Sequence, residues 1–180
     1  MKNLAFLTFL FATIANADLH QHGKSLGAHE HGSVKLELGV EGQSLEIDLD
    51  GPAESFLGFE YAPKSEKEKN KFNEVQRLWE KNLLSLFTFN QTLKCVVSNS
   101  SLKQEIELHN SEKGNKHKEE GVHSEIQAAA KITCDKALKD QIIKINLKKY
   151  FSNIKKLKLD LVGDEIRTIN LTKAIEEIKL

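Results

Sequence analysis

Between Val34 and Leu49 an apolar side chain falls on every second residue: Val34, Leu36, Leu38 and Val40, then Leu45, Ile47 and Leu49, with Glu41-Gly42-Gln43-Ser44 between the two runs. A period of two suits a pleated strand with one face buried, and a slip of one residue would turn the whole apolar set to water. The segment 33–50 is therefore expected to form a β-hairpin, ended by Gly51-Pro52. The alternation returns at Ile126, Ala128, Ala130, Ile132 and Cys134. Further strands fit 93–97, 104–108, 143–147, 157–161 and 166–171, the last two joined at Gly163-Asp164.

One stretch follows another period. Behind Pro63, Ser65-Glu66-Lys67-Glu68 has the pattern in which a serine hydroxyl and a glutamate three residues on satisfy the first free amides of a helix. Phe72, Val75, Trp79, Leu83 and Leu86 then recur every three or four residues, which predicts one amphipathic helix over about 65–87 and marks that stripe as core packing. The expected class is α+β, mostly antiparallel strands with this single substantial helix. Leu36–Leu49 is also similar to Leu159–Leu171, and His31-Gly32-Ser33-Val34 faintly echoes His123-Ser124-Glu125-Ile126, as a duplicated β unit would produce.

The first residues read as an export signal: Lys2 gives a positive start, Leu4 to Ile14 is nearly all apolar, and Ala15-Asn16-Ala17 is a small-x-small cleavage pattern. The apolar run is shorter than the roughly 20 residues a membrane span needs, and no later segment is long and apolar enough to supply one. Residues 1–17 are thus expected to be a cleaved signal peptide and 18–32 a histidine-bearing N-terminal segment. Residues 33–180 would form a single β-rich domain with a polar, histidine-bearing loop at about 109–123. Of the charged side chains, 26 Lys+Arg balance 26 Asp+Glu, and loss of Lys2 with the signal leaves a slight acidic excess. The lysines alternate with glutamates or strand hydrophobics and form no basic groove with stacking aromatics, so nucleic acid is not an expected partner.

Cys95 and Cys134 lie at the ends of expected strands and, in an oxidising compartment, read better as a disulfide than as thiolate ligands; a Cys/His zinc site is the competing reading. A bridge between them would close a loop of about 40 residues, stabilise the fold by about 3 to 4 kcal/mol, and hold both roots of the polar segment that carries His109, His117 and His123.

The seven histidines fall in two groups, His20, His22, His29 and His31 behind the signal, and His109, His117 and His123 in or beside the polar loop. In an extended chain alternate residues share a side, so each His-x-His pair presents two imidazoles roughly 6 to 7 Å apart along the backbone. Zinc takes imidazole nitrogen readily and wants four ligands, so such a pair is half a site. The remainder would come from another histidine, from Asp18, Glu30, Glu119 or Glu120, or from water. His29, His31 and His123 carry the most weight because they abut strands, whereas His20 and His22 sit where a mature chain frays. Nickel and copper suit the same donors and stay open as alternative ions, as does a structural module whose histidines bind nothing. No His-Glu-x-x-His helix, nucleophile elbow or phosphate-binding glycine loop is present, so catalytic residues are expected to be none.

His29-Glu30-His31-Gly32 ahead of a hairpin, Gly51-Pro52-Ala53, Leu57-Gly58-Phe59-Glu60-Tyr61-Ala62-Pro63, and Cys95 and Cys134 flanking a histidine-bearing loop occur together in one known family. From about Gly27 to Leu171 the chain resembles the ZrgA-type periplasmic zinc-uptake proteins. The resemblance implies a bacterial periplasmic accessory protein that binds zinc through its N-terminal histidines and middle loop and assists inner-membrane importer components. Two departures stand out. That family usually has histidine where Tyr61 stands, and its middle loop is a denser histidine run, which implies a lower ion capacity here.

Overall fold

The computed structural model describes residues 31–107 and 123–180. The chain opens with the expected hairpin, β1 (Ser33–Glu41) and β2 (Ser44–Pro52), whose register sets Leu36 against Leu49 and Leu38 against Ile47. Three helical pieces follow, α1 (Glu54–Leu57), α2 (Glu66–Lys81) and α3 (Leu83–Leu86), then the short strand β3 (Phe87–Phe89) and a 3-10 turn at Gln91–Leu93. The rest comprises β4 (Val96–Glu107), β5 (His123–Thr133), β6 (Ile142–Ile145), α4 (Leu147–Tyr150), β7 (Lys156–Val162), β8 (Ile166–Leu171) and β9 (Glu176–Lys179). Among these described residues, no helix is long and apolar enough to cross a membrane.

Six strands form one sheet in the order β4-β5-β2-β1-β7-β8, and β3-β6-β9 form a second. All pairs are antiparallel except β1 with β7, which run parallel with Leu36 beside Leu159. Both sheets feed one buried cluster: Leu36, Leu38, Ile47, Ile132 and Leu159 from the first, Phe87, Ile143 and Ile178 from the second. The helix α2 covers the β4–β5 side, where Trp79 packs edge-on against Phe87 at 6.0 Å and donates its indole N–H to the Ala129 carbonyl at 3.2 Å. A buried indole that finds a backbone acceptor fixes the helix over the sheet without leaving a polar atom unpaired.

The expected α+β class is overturned. Nine strands in two sheets carry the structure, and among the described residues only α2 exceeds one turn, so the fold is mostly β. The capping box at Ser65 and Glu68 forms as expected, but the helix ends at Lys81 and not near 87. Asn82 leaves the helical region at φ −129°, α3 makes one further turn, and Phe87 and Phe89 enter β3 opposite Ile145 and Ile143. Leu83 and Leu86 stay buried on both accounts, so the apolar period could not register the break. Of the strand expected at 93–97 only Val96 and Val97 are extended, and they run on without a break in the chain through the strand expected at 104–108 as one strand, β4, with an irregularity between Val97 and Asn99. Its polar middle looks like a loop because Ser98 and Ser100 spend their hydroxyls on Thr133 and on the Glu80 carbonyl.

The two segments read as a duplicated β unit do fold alike, as the antiparallel hairpins β1–β2 and β7–β8, whose first strands pair in parallel with Leu36 beside Leu159, and they differ in burial. Strand β2 is an interior strand with a buried face whereas β8 is an edge strand exposed over most of its length. His31 leads into β1, whereas His123 begins β5 and not the first strand of the second hairpin, so the echoes are not in equivalent places.

Cys95 and Cys134 are joined, with 39 residues of separation. The bridge abuts the Val96–Thr133 end of the β4–β5 ladder, whereas the 108–122 segment springs from the other end, where Glu107 faces His123. At about 3.3 Å per residue these ends lie some 33 Å apart, so the ladder itself holds the roots of that segment and the disulfide does not. Replacing both cysteines with serine is expected to lower the unfolding free energy by about 2 to 5 kcal/mol in urea titrations. The ring resonances of His31 and His123 should stay unmoved.

Candidate metal centre

The end of the main sheet where β1 and β5 begin and β2 finishes gathers four titratable side chains. His31 stands just before β1 on Gly32, whose φ of 78° is strained for any residue with a side chain and whose neighbours are close: a Cβ there would lie 3.0 Å from the Lys155 side chain and 3.1 Å from the Asn153 carbonyl. Gly32 in turn accepts the Lys155 and Lys156 amides at 2.9 and 3.0 Å, which ties His31 to the start of β7. Across the sheet, β2 runs out at Pro52, and Ala53 donates its amide to Ser124 of β5 at 2.9 Å. The single turn α1 then buries Phe56 and Leu57 and leaves Glu54 on the rim.

Gly58 closes α1 in the left-handed region at φ 85°, returning its N–H to the Glu54 carbonyl at 3.0 Å. Glycine adopts that conformation without the penalty a side chain would bring. The reversal carries Phe59, Glu60 and Tyr61 back past the start of β5. The rings of Phe59 and Tyr61 lie together at 5.1 Å, and the Glu60 carbonyl accepts the Ser124 hydroxyl at 2.8 Å. Gln104 of β4 completes the lock by donating to the Ser124 oxygen at 2.8 Å and to the Tyr61 carbonyl at 3.1 Å.

On this frame the Glu60 carboxylate lies between two imidazoles. His31 Nδ1 is 2.9 Å from one oxygen and His123 Nδ1 is 2.8 Å from the other, while His31 Nδ1 also lies 2.8 Å from Glu54 Oε2. Glu60 is the most enclosed of the four, its side chain 17% exposed against 41% for His123, 44% for Glu54 and 58% for His31. The hydrogen bond to Glu54, followed by the charge of Glu60, holds the His31 imidazole above its ordinary value of 6.5. A proton on His31 thus occupies ground shaped for positive charge.

His31, Glu54 and Glu60 each bring a ligand atom within 4.8 Å of the others. Ligands about 2.0 to 2.2 Å from one tetrahedral zinc lie about 3.3 to 3.6 Å from one another, so the 2.8 and 2.9 Å hydrogen-bonded contacts would have to open by roughly half an ångström to admit the ion. The donor set of one imidazole and two carboxylates suits a borderline divalent ion, and the two negative charges balance its two positive ones.

Of the histidines expected as ligands, His31 and His123 come together, their ring centres 6.4 Å apart. His20, His22, His29, His109 and His117 lie outside the described residues, as do the expected signal peptide and the carboxylates Asp18, Glu30, Glu119 and Glu120. Glu54 and Glu60 were not expected. The available signal was local: Glu60 is an acidic residue between two aromatics directly after Gly58-Phe59, and Glu54 follows Pro52-Ala53 at a strand exit.

A β fold with a histidine and carboxylate cluster at one end of its main sheet defines a candidate metal-binding protein. The family model of the ZrgA family zinc uptake proteins matches residues 28–180, and the chain belongs to that family. No curated protein matches the chain. In the metal-free protein, an NMR titration of the His31 ring should give a midpoint above 6.5, and Glu54→Gln should move it down towards that value.

Proposed function

We propose that the protein is a periplasmic accessory of zinc import, which captures zinc at the His31, Glu54 and Glu60 cluster, with His123 beside it, and passes the ion to importer components of the inner membrane. The observation that carries this reading is the meeting of an imidazole and two carboxylates, with their ligand atoms all within 4.8 Å of one another, in a member of a zinc-uptake family. The ion is cargo: the cluster binds it and lets it go, and no covalent step is needed. An exposed imidazole and a half-exposed Glu54 leave one side of the site open to a partner, as exchange requires.

The periplasmic setting is supported by the signal-like first 17 residues and by the disulfide, which suits an oxidising compartment. The two segments that carry the remaining histidines join the described fold at His31 and at Glu107 and His123, beside this cluster. They would deliver ions close to where the fold can hold them.

Binding zinc requires His31 to surrender its proton. Its raised affinity for that proton means that zinc affinity falls as pH is lowered through a value above the ordinary 6.5, earlier than for an unassisted imidazole. Competition against a chelator at pH 8, 7 and 5.5 should show this loss. At pH 8, His31→Ala and Glu60→Gln should each abolish the tightest zinc-binding event, while weaker binding by other histidines persists. Retention of the tightest site in both variants would overturn the reading.

A further inference from the structure

His123 faces the carboxylate oxygen of Glu60 that His31 does not. His31 Nδ1 approaches Oε1 at 2.9 Å, and His123 Nδ1 approaches Oε2 at 2.8 Å. The mutually close ligand atoms belong to His31, Glu54 and Glu60. Two imidazoles on one tetrahedral zinc, with bonds of about 2.0 to 2.1 Å, have ring centres about 5 Å apart. The rings of His31 and His123 are 6.4 Å apart. An ion seated among the first three residues therefore leaves His123 on the far side of the Glu60 carboxylate.

Consecutive residues of β5 hold Glu60 at both ends. The His123 ring bonds its carboxylate, and the Ser124 hydroxyl, itself buried and fixed by Gln104, bonds its carbonyl. A ligating carboxylate that is hydrogen-bonded from behind is oriented before the ion arrives, and such outer partners contribute substantially to metal affinity. We propose that His123 is a positioning residue: it donates its Nδ1 proton to Glu60 and aims that carboxylate at the ion, without touching the ion itself.

This rests on the zinc-site reading above, and one experiment separates the two. The full-length protein with 15N-labelled histidine is loaded with 113Cd as a spectroscopic stand-in for zinc. One-bond coupling is expected between cadmium and a ring nitrogen of His31, and none to either nitrogen of His123. Coupling to both histidines would overturn the positioning role and leave the site standing. Absence of coupling to His31 would overturn the site and the positioning role together.

Substitution gives an independent check. His123→Asn keeps a nitrogen donor close to the place of Nδ1 and should hold zinc affinity within a few-fold. His123→Ala should lose about 10- to 100-fold. Equal losses in the two variants, with amide spectra showing both folded, would contradict the positioning role.

Discussion

The antiparallel pairing of β2 with β5 is the constraint on which the site depends. Its register runs unbroken from Ser44 opposite Thr133 to Pro52 opposite Glu125, so the exit of β2 and the entry of β5 must share one end of the sheet. Ala53 hydrogen-bonds Ser124 there, and Ser124 fixes the return of the chain at Glu60. A slip of one residue would expose Leu45, Ile47 and Leu49, and the burial of those side chains therefore also fixes where the glutamates stand. The parallel pairing of β1 with β7 does the same for His31, by way of Gly32 and the Lys155 and Lys156 amides.

Rigidity and exchange are divided among the four side chains. Glu60 is enclosed and held at its carbonyl and its carboxylate, whereas His31 and Glu54 are exposed enough to reach solvent. Clustering two carboxylates without a cation is unfavourable, and a proton on the His31 imidazole, which Glu54 and Glu60 favour, offsets their repulsion when it is present. In the proposed function an incoming divalent ion would exchange with that proton, which would leave the two carboxylates with a positive partner on both sides of the binding step. On that proposal, capture and release would be coupled to proton availability through one side chain.

Much of the fold was legible in the sequence where a period is uninterrupted. The alternation at Val34–Leu49 and Ile126–Ile132 marks strands that the structure contains, and the Ser65–Glu68 pattern marks the true start of α2. The end of that helix was illegible because Leu83 and Leu86 remain apolar and buried beyond the break at Asn82. The continuity of β4 was hidden by serines that satisfy partners on neighbouring elements, information that no local pattern carries. Of the site, His31 and His123 stood out as histidines beside strands. Glu54 and Glu60 did not, because a glutamate on a turn is ordinarily a solvated side chain, and the local setting that marks these two does not say that either faces an imidazole, which long-range strand pairing decides.

Anomalous diffraction at the zinc edge from crystals of the zinc-loaded protein tests the central claim most directly. The account predicts a peak about 2.0 to 2.2 Å from His31 Nδ1 and from one oxygen each of Glu54 and Glu60. A strongly occupied peak elsewhere, with these three side chains still bonded only to one another, would contradict it.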